Sequence, residues 1–176
     1  SSMWNSINSQ ITSNSNITLS AGNTGVLFVV SRMLLKTIES VSKPALAGLW
    51  PNEKNMNVVL DLGANVECDD KNLIDFSEMG AALYKALFPA ETPKVALLNI
   101  GSEELKGNEV IKETYQQLNQ RKNHDFEFKG YIEGNQLMNG DVNVIVADGF
   151  TGNVALKTAE GTANFITSEL KKAMTG

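Results

Sequence analysis

The sequence predicts an α/β fold, a mostly parallel sheet with helices on its faces. Short apolar runs and helical stripes alternate along the chain, the pattern of repeated β–α–β units. The runs at residues 58–62, 95–100 and 142–147 are rich in Val, Leu, Ile and Ala, as strands buried on both faces are. Each runs into a turn holding glycine, and a helical pattern follows. The 176 residues are expected to form one domain, long enough for a sizeable core.

Residues 1–16 are rich in Ser and Asn, and Trp4, Ile7 and Ile11 keep the spacing of a short amphipathic helix. Residues 17–19 read as a short strand leading into Ser20-Ala21-Gly22-Asn23-Thr24-Gly25. A helical stripe of Leu27, Val30, Met33, Leu34 and Ile38 comes next, ended by Lys43-Pro44 because the residue before proline avoids the helical region. Residues 45–50 are a candidate strand closed by Pro51, and 52–57 a polar turn. The strand at 58–62 ends in Gly63-Ala64-Asn65. Leu73, Phe76, Gly80, Leu83 and Leu87 mark a long helix stopping before Pro89. The strand at 95–100 meets Gly101, a loop runs to Asn108, and Ile111, Tyr115 and Leu118 share one helical face. Residues 126–132 form an alternating strand, and Asn139-Gly140 is a turn signal. The strand at 142–147 then feeds Asp148-Gly149-Phe150-Thr151-Gly152-Asn153, where Thr151 or Asn153 is a candidate cap. Leu156, Ala159, Ala163, Ile166, Leu170 and Ala173 carry the last helix.

Composition narrows the function. Apolar content of 42% is that of a globular protein. With 15 basic and 20 acidic residues, net charge −5, the chain lacks the basic footprint of nucleic-acid binding. The single cysteine, Cys68, permits no internal disulfide, and its neighbours Glu67 and Asp69 disfavour a thiolate. The longest apolar run, Val26–Val30, is too short to span a bilayer, and no signal peptide is recognisable.

Several chemistries lack their residues. There is no Gly-x-Gly-x-x-Gly, no Gly-x-Ser-x-Gly, and Gly107 is followed by Asn108 rather than the Lys of a phosphate-binding loop. The sole histidine, His124, stands in a charged run and reads as a solvated loop residue, so a metal site or a Ser-His-Asp triad is not expected. What remains is polar and mostly uncharged. The turns at residues 22–25, 63–65, 101–108 and 149–153 are expected to converge at the carboxyl edge of the sheet, where open α/β folds bind ligands. Glycine there permits close backbone approach, and a helix N-terminus presents N–H groups and partial positive charge to an anion. Each turn also has a plain reading as a turn and no more. Acidic candidates are Asp148, Asp61, Glu103 and Glu104, and Lys106 and Lys157 are either surface charges or charges for the site.

Read together, Ser20–Gly25, Pro44-Ala45-Leu46-Ala47, Asp61-Leu62-Gly63-Ala64-Asn65-Val66, Leu97-Leu98-Asn99-Ile100-Gly101, Glu104, Lys106-Gly107-Asn108-Glu109, Asp148–Val154 and Leu156-Lys157-Thr158 resemble the bacterial PlsX-type phosphate acyltransferases of phospholipid synthesis, over almost the whole chain. The resemblance implies a Rossmann-like three-layer α/β/α fold similar to phosphate acetyltransferases. It implies transfer of a fatty acyl group from acyl carrier protein to inorganic phosphate, giving an acyl phosphate that a membrane acyltransferase passes to glycerol 3-phosphate. It further implies a cytoplasmic homodimer with peripheral membrane association. Family members are longer at both ends, so the chain is expected to be part of a longer family domain, with little or no turnover by itself.

For that chemistry, phosphate binding is assigned to Ser20, Gly22, Asn23, Thr24 and Gly25 and to Gly149, Thr151 and Gly152, with Asn65, Asn99, Gly101, Gly107 and Asn108 completing the crevice. Asn153 and Thr24 are expected to donate hydrogen bonds to phosphate, and Lys157 or Lys106 to add charge. Asp148 is expected to position a neighbour rather than take a proton. Phosphate is largely ionised at neutral pH, so neither a strong base nor a metal or organic cofactor is implied. Two alternatives stand beside this reading: a nucleotide-binding dehydrogenase-like domain, with Glu39 spaced to hold a ribose, and a non-catalytic piece that only dimerises.

Overall fold

A computed structural model describes residues 2–12, 14–121 and 125–175, so His124 lies outside the described residues. The chain divides into two compact units, Ser1–Pro44 and Ala45–Gly176. The alternation that suggested a single α/β domain belongs to the second unit.

The first unit holds α1 (Ser2–Ile11) and α2 (Thr24–Leu34), which pack together. Of the α1 stripe, Ile7 is buried. The strand expected at residues 17–19 does not form. Ile17 and Leu19 are 70% and 83% exposed, and Thr18 bonds back along α1, its hydroxyl donating to the Ser6 carbonyl and the Gln10 side chain. A three-residue run with no ladder partner cannot satisfy its backbone as a strand. The Asn23 carboxamide caps α2 by accepting the Val26 N–H at 3.1 Å. α2 ends at Leu34 rather than at Lys43-Pro44, with Leu35 extended. No residue of α2 is fully buried, so its packing is too shallow to carry the helix further, and Thr37 and Ile38 are β-branched.

The second unit begins with β1 (Gly48–Pro51) and β2 (Met56–Leu60), an antiparallel pair whose turn is tied by Asn52, which accepts the Lys54 and Asn55 amides. Then follow α3 (Asp70–Leu87), β3 (Lys94–Asn99), α4 (Glu109–Gln120), β4 (Glu127–Glu133), a short 3-10 turn at Gly134–Gln136, β5 (Val144–Val146) and α5 (Gly149–Thr175). The described sheet has the order β1-β2-β5-β3-β4. β2, β5, β3 and β4 run parallel, and β1, which carries Pro51, is an antiparallel edge, the place a sheet tolerates proline.

The period-2 rule of strands sorts the core into two layers. Val58, Leu60, Val95, Leu97, Val144 and Val146 face α3 and α4 through Leu73, Phe76, Ile111 and Leu118. Val59, Ala96, Leu98, Ile145 and Ala147 face the other way, toward Ala155, Leu156 and Ala159 of α5. This is a three-layer α/β/α arrangement with a mostly parallel sheet. α3 opens with a capping box between Asp69 and Asn72. It lies close on the sheet because Gly80 has no side chain: a Cβ there would sit 2.5 Å from Val144 Cγ1. No helix among the described residues is long and apolar enough to cross a membrane.

Candidate functional site

β3 and β5 are neighbours in the sheet, yet the helix after β3 crosses to one face and the helix after β5 to the other. Their carboxyl ends therefore part, as at the switch points where α/β sheets bind ligands. A cleft of ≈ 360 Å³ opens there. Its polar rim is Asn99 at the end of β3, Gly107 and Asn108 before α4, and Asp148 and Thr151 at the start of α5. Its apolar wall is Leu98, Ile100, Ile111 and Val154. The first turns of α4 and α5 both line it, so two helix N-termini bring partial positive charge to one space.

The loop between β3 and α4 is held from within. Asn99 Nδ2 donates to the Lys106 carbonyl at 3.1 Å, and its Oδ1 accepts the Ile100 N–H at 2.9 Å. Gly107 has φ +93°, and a Cβ there would lie 2.3 Å from Ile111 and 2.6 Å from Asn99 Oδ1, so only glycine fits. Asn108 caps α4, accepting the Ile111 N–H at 2.9 Å. Glu104 Oε1 accepts the Tyr115 hydroxyl at 2.9 Å, which anchors the loop to α4. That bond, with burial second, raises the Tyr115 pKa above its ordinary value.

On the opposite wall the cap of α5 is neither Thr151 nor Asn153. Asp148 Oδ1 accepts the Thr151 N–H at 2.7 Å, and the helix starts at once, with Gly149. Gly149 and Gly152 are buried and pack against the loop after β2. A Cβ on Gly149 would stand 2.5 Å from the Asn65 carbonyl oxygen, and one on Gly152 1.9 Å from that of Asp61. The Gly149 N–H donates to Asn65 O at 2.7 Å. Asn153, expected to donate to phosphate, instead donates from Nδ2 to the Leu62 carbonyl at 3.2 Å.

Asn65 is buried beneath α5 and is held by Asp61, through its backbone N–H and its Nδ2, each 2.8 Å from Asp61 Oδ2. Lys157 stands more than two turns into α5, paired with Glu160 at 2.7 Å, outside the residues lining the cleft. Lys106 is exposed, its stem lying over Gly101. Ser20, Gly22, Asn23, Thr24 and Gly25 belong to the N-terminal unit. There Ser20 Oγ accepts the Gly22 N–H, and the Asn23 side chain is occupied as a cap. Glu39 lies in an exposed turn of that unit. Cys68 packs against the core with its thiol toward Asn65 O at 3.7 Å.

Of the expected site residues, then, the cleft gathers Asn99, Gly107, Asn108, Asp148 and Thr151. The apolar wall carries no signal of a site in the sequence, where its members read simply as core. Asp61 stands in the sequence as an acidic candidate with no role of its own. The available signal was Asp-Leu-Gly-Ala-Asn at a strand end, where an Asp side chain commonly bonds the next few amides.

The chain is 76% identical over 175 residues to a phosphate acyltransferase of Pelagibacter ubique, covering 99% of this chain and 53% of that protein. It is 45% identical to the phosphate acyltransferase of Maricaulis maris, covering 99% and 50%. The chain thus spans about half the length of the curated relatives it matches. The EutD phosphotransacetylase from Staphylococcus aureus shares the fold, with a TM-score of 0.59 at 19% identity over 82% of this chain and 49% of that one. A family model described as fatty acid synthesis protein matches residues 1–176 from end to end, and the chain belongs to that family.

Proposed function

We propose that this chain carries the phosphate site of an acyltransferase that moves a fatty acyl group from acyl carrier protein to inorganic phosphate. The observation that carries the reading is the cleft between β3 and β5. It joins two helix N-termini to an apolar wall, in a chain 76% identical to a phosphate acyltransferase. An anion suits the two helix ends, and the acyl carbons of a thioester suit Leu98, Ile111 and Val154. A phosphate oxygen attacks the thioester carbonyl, the C–S bond breaks, and the proton of hydrogen phosphate passes to the departing thiolate. The Thr151 hydroxyl and the Asn108 carboxamide N–H, in the partial positive charge of the two helix starts, stabilise the tetrahedral oxyanion. Lys106, on the exposed loop one residue before Gly107, adds charge from outside the cleft lining, while Lys157, paired with Glu160 on the helix surface, has no part. The turn at residues 20–25 is proposed to bind anions in its own right. The same reading includes a homodimer and peripheral contact with a membrane. The exposed Phe165, Ile166, Leu170 and Met174 of α5 motivate both, with sedimentation and liposome flotation as their tests.

The test combines binding with product. Phosphate titrated into the protein is expected to move the amide signals of Thr151 and Asn108, and less so in Thr151→Val. Acyl phosphate, trapped with hydroxylamine, is expected from a chimera in which this chain replaces the matching half of its 76% identical relative. If phosphate leaves those amides still and the chimera yields no hydroxamate, the proposal fails.

A further inference from the structure

We infer that Asp61 is a positioning residue of the cleft: its carboxylate folds the loop after β2 into the shape that receives the first turn of α5. Asp61 is fully buried. Its Oδ1 accepts the N–H groups of Leu46, Gly63 and Ala64 at 3.0, 3.2 and 2.9 Å. Its Oδ2 accepts the Asn65 N–H and Asn65 Nδ2, both at 2.8 Å. Both oxygens are thus surrounded by donors, and only a carboxylate offers two acceptors at once. An asparagine, whichever way it is turned, sets its NH2 group against N–H donors.

The loop so formed is the docking surface of α5. Its Asn65 carbonyl takes the Gly149 N–H, its Leu62 carbonyl takes Asn153 Nδ2, and its Asp61 carbonyl lies where any side chain on residue 152 would be. Gly63, at φ +128°, leaves room for Asn153, since a Cβ there would be 2.9 Å from Asn153 Nδ2. On the cleft side of the same turn stand Asp148 and Thr151. Asp61 touches none of the cleft and acts through Asn65 on the helix end that walls it. As a statement about phosphate, the inference rests on the proposed function.

The experiment compares Asp61→Asn with Tyr84→Phe, a buried polar change at the amino end of the sheet, where Tyr84 bonds Glu91 and Asn143. Amide hydrogen exchange at Gly149 and Thr151 is expected to rise roughly tenfold or more in Asp61→Asn, with the interior amides of α4 little changed. Phosphate affinity is expected to fall by about the same factor, and neither change is expected in Tyr84→Phe. Should Asp61→Asn fail to fold, Asn65→Ala removes one of the five bonds and is expected to show the same pattern more weakly. A uniform rise in exchange matching that of Tyr84→Phe would overturn the inference, as would undiminished phosphate affinity with a loosened Gly149. A parent protein that binds no phosphate overturns the functional reading instead, and Asp61 is then judged on exchange by the same criterion.

Discussion

Tyr84 shows how much one residue's surroundings alter its chemistry. Its ring is buried in the core, yet its hydroxyl donates to Glu91 Oε2 at 2.6 Å and accepts from Asn143 Nδ2 at 3.1 Å. Burial first, then the hydrogen bond to Glu91 and its charge, pushes its pKa up to about 12 from 10.0. The folded form therefore holds its proton where the unfolded chain has lost it. The stability this contributes is complete below pH 10 and disappears as the pH rises through 12. Tyr115 and Tyr131 are raised too, so the slope has several sources. Chemical denaturation between pH 9 and 12 is expected to show falling stability in the parent and a shallower fall in Tyr84→Phe. Equal slopes would mean that Tyr84 ionises alike in both states.

At the scale of the element, two of the three glycines of α5 have opposite prospects. At Gly161 a Cβ would meet nothing within 4 Å. Alanine there removes the backbone-entropy cost of glycine in a helix and is expected to stabilise by up to about 1 kcal/mol. At Gly152 the same change puts a methyl group 1.9 Å from the Asp61 carbonyl, against backbone that is itself fastened. Overpacking costs about 1–3 kcal/mol or more and outweighs the propensity gain. Thermal melts are the measurement, at roughly 2–4 °C per kcal/mol for a chain of this size. A Gly152→Ala protein that melts at or above the parent would refute the close packing of α5 on the loop after β2.

At the scale of the whole molecule, the cleft carries a contradiction in charge. Two helix ends favour an anion, while the Asp148 carboxylate on its rim opposes one. Asparagine caps a helix about as well as aspartate, so Asp148→Asn keeps the Thr151 bond and removes the repulsion. A like charge at contact distance is worth about 1 kcal/mol in water. Phosphate is therefore expected to bind Asp148→Asn about fivefold more tightly. Phosphate at ~100 times its Kd stabilises by ~2.7 kcal/mol, and the midpoint rise is expected to be larger in the variant at equal phosphate. Exclusion of phosphate from the surface acts on both proteins alike. The same or a smaller rise in Asp148→Asn would show that no phosphate sits beside residue 148.

Periodicity and turn chemistry by themselves determined the α/β class, the helices α3, α4 and α5, the core strands and the glycine turns after β2 and β3. Local preferences and the burial pattern of each run act together there, as at Val58–Leu60 and Val144–Val146, where successive residues serve opposite layers. The sequence was also enough to mark the Asp148 turn. Only the tertiary structure decided what those residues do. Gly149 and Gly152 look the same in sequence whether a phosphate or a backbone approaches them. It is the loop at Asp61–Asn65, distant in the chain, that occupies the space. Asn153 went to Leu62, Lys157 to Glu160, and Asp61 gained five donors, because hydrogen bonding depends on distances that no local pattern encodes. The lost strand at residues 17–19 has the same cause, since a strand exists only where a partner lies beside it, and none lies beside Ile17 and Leu19 among the described residues.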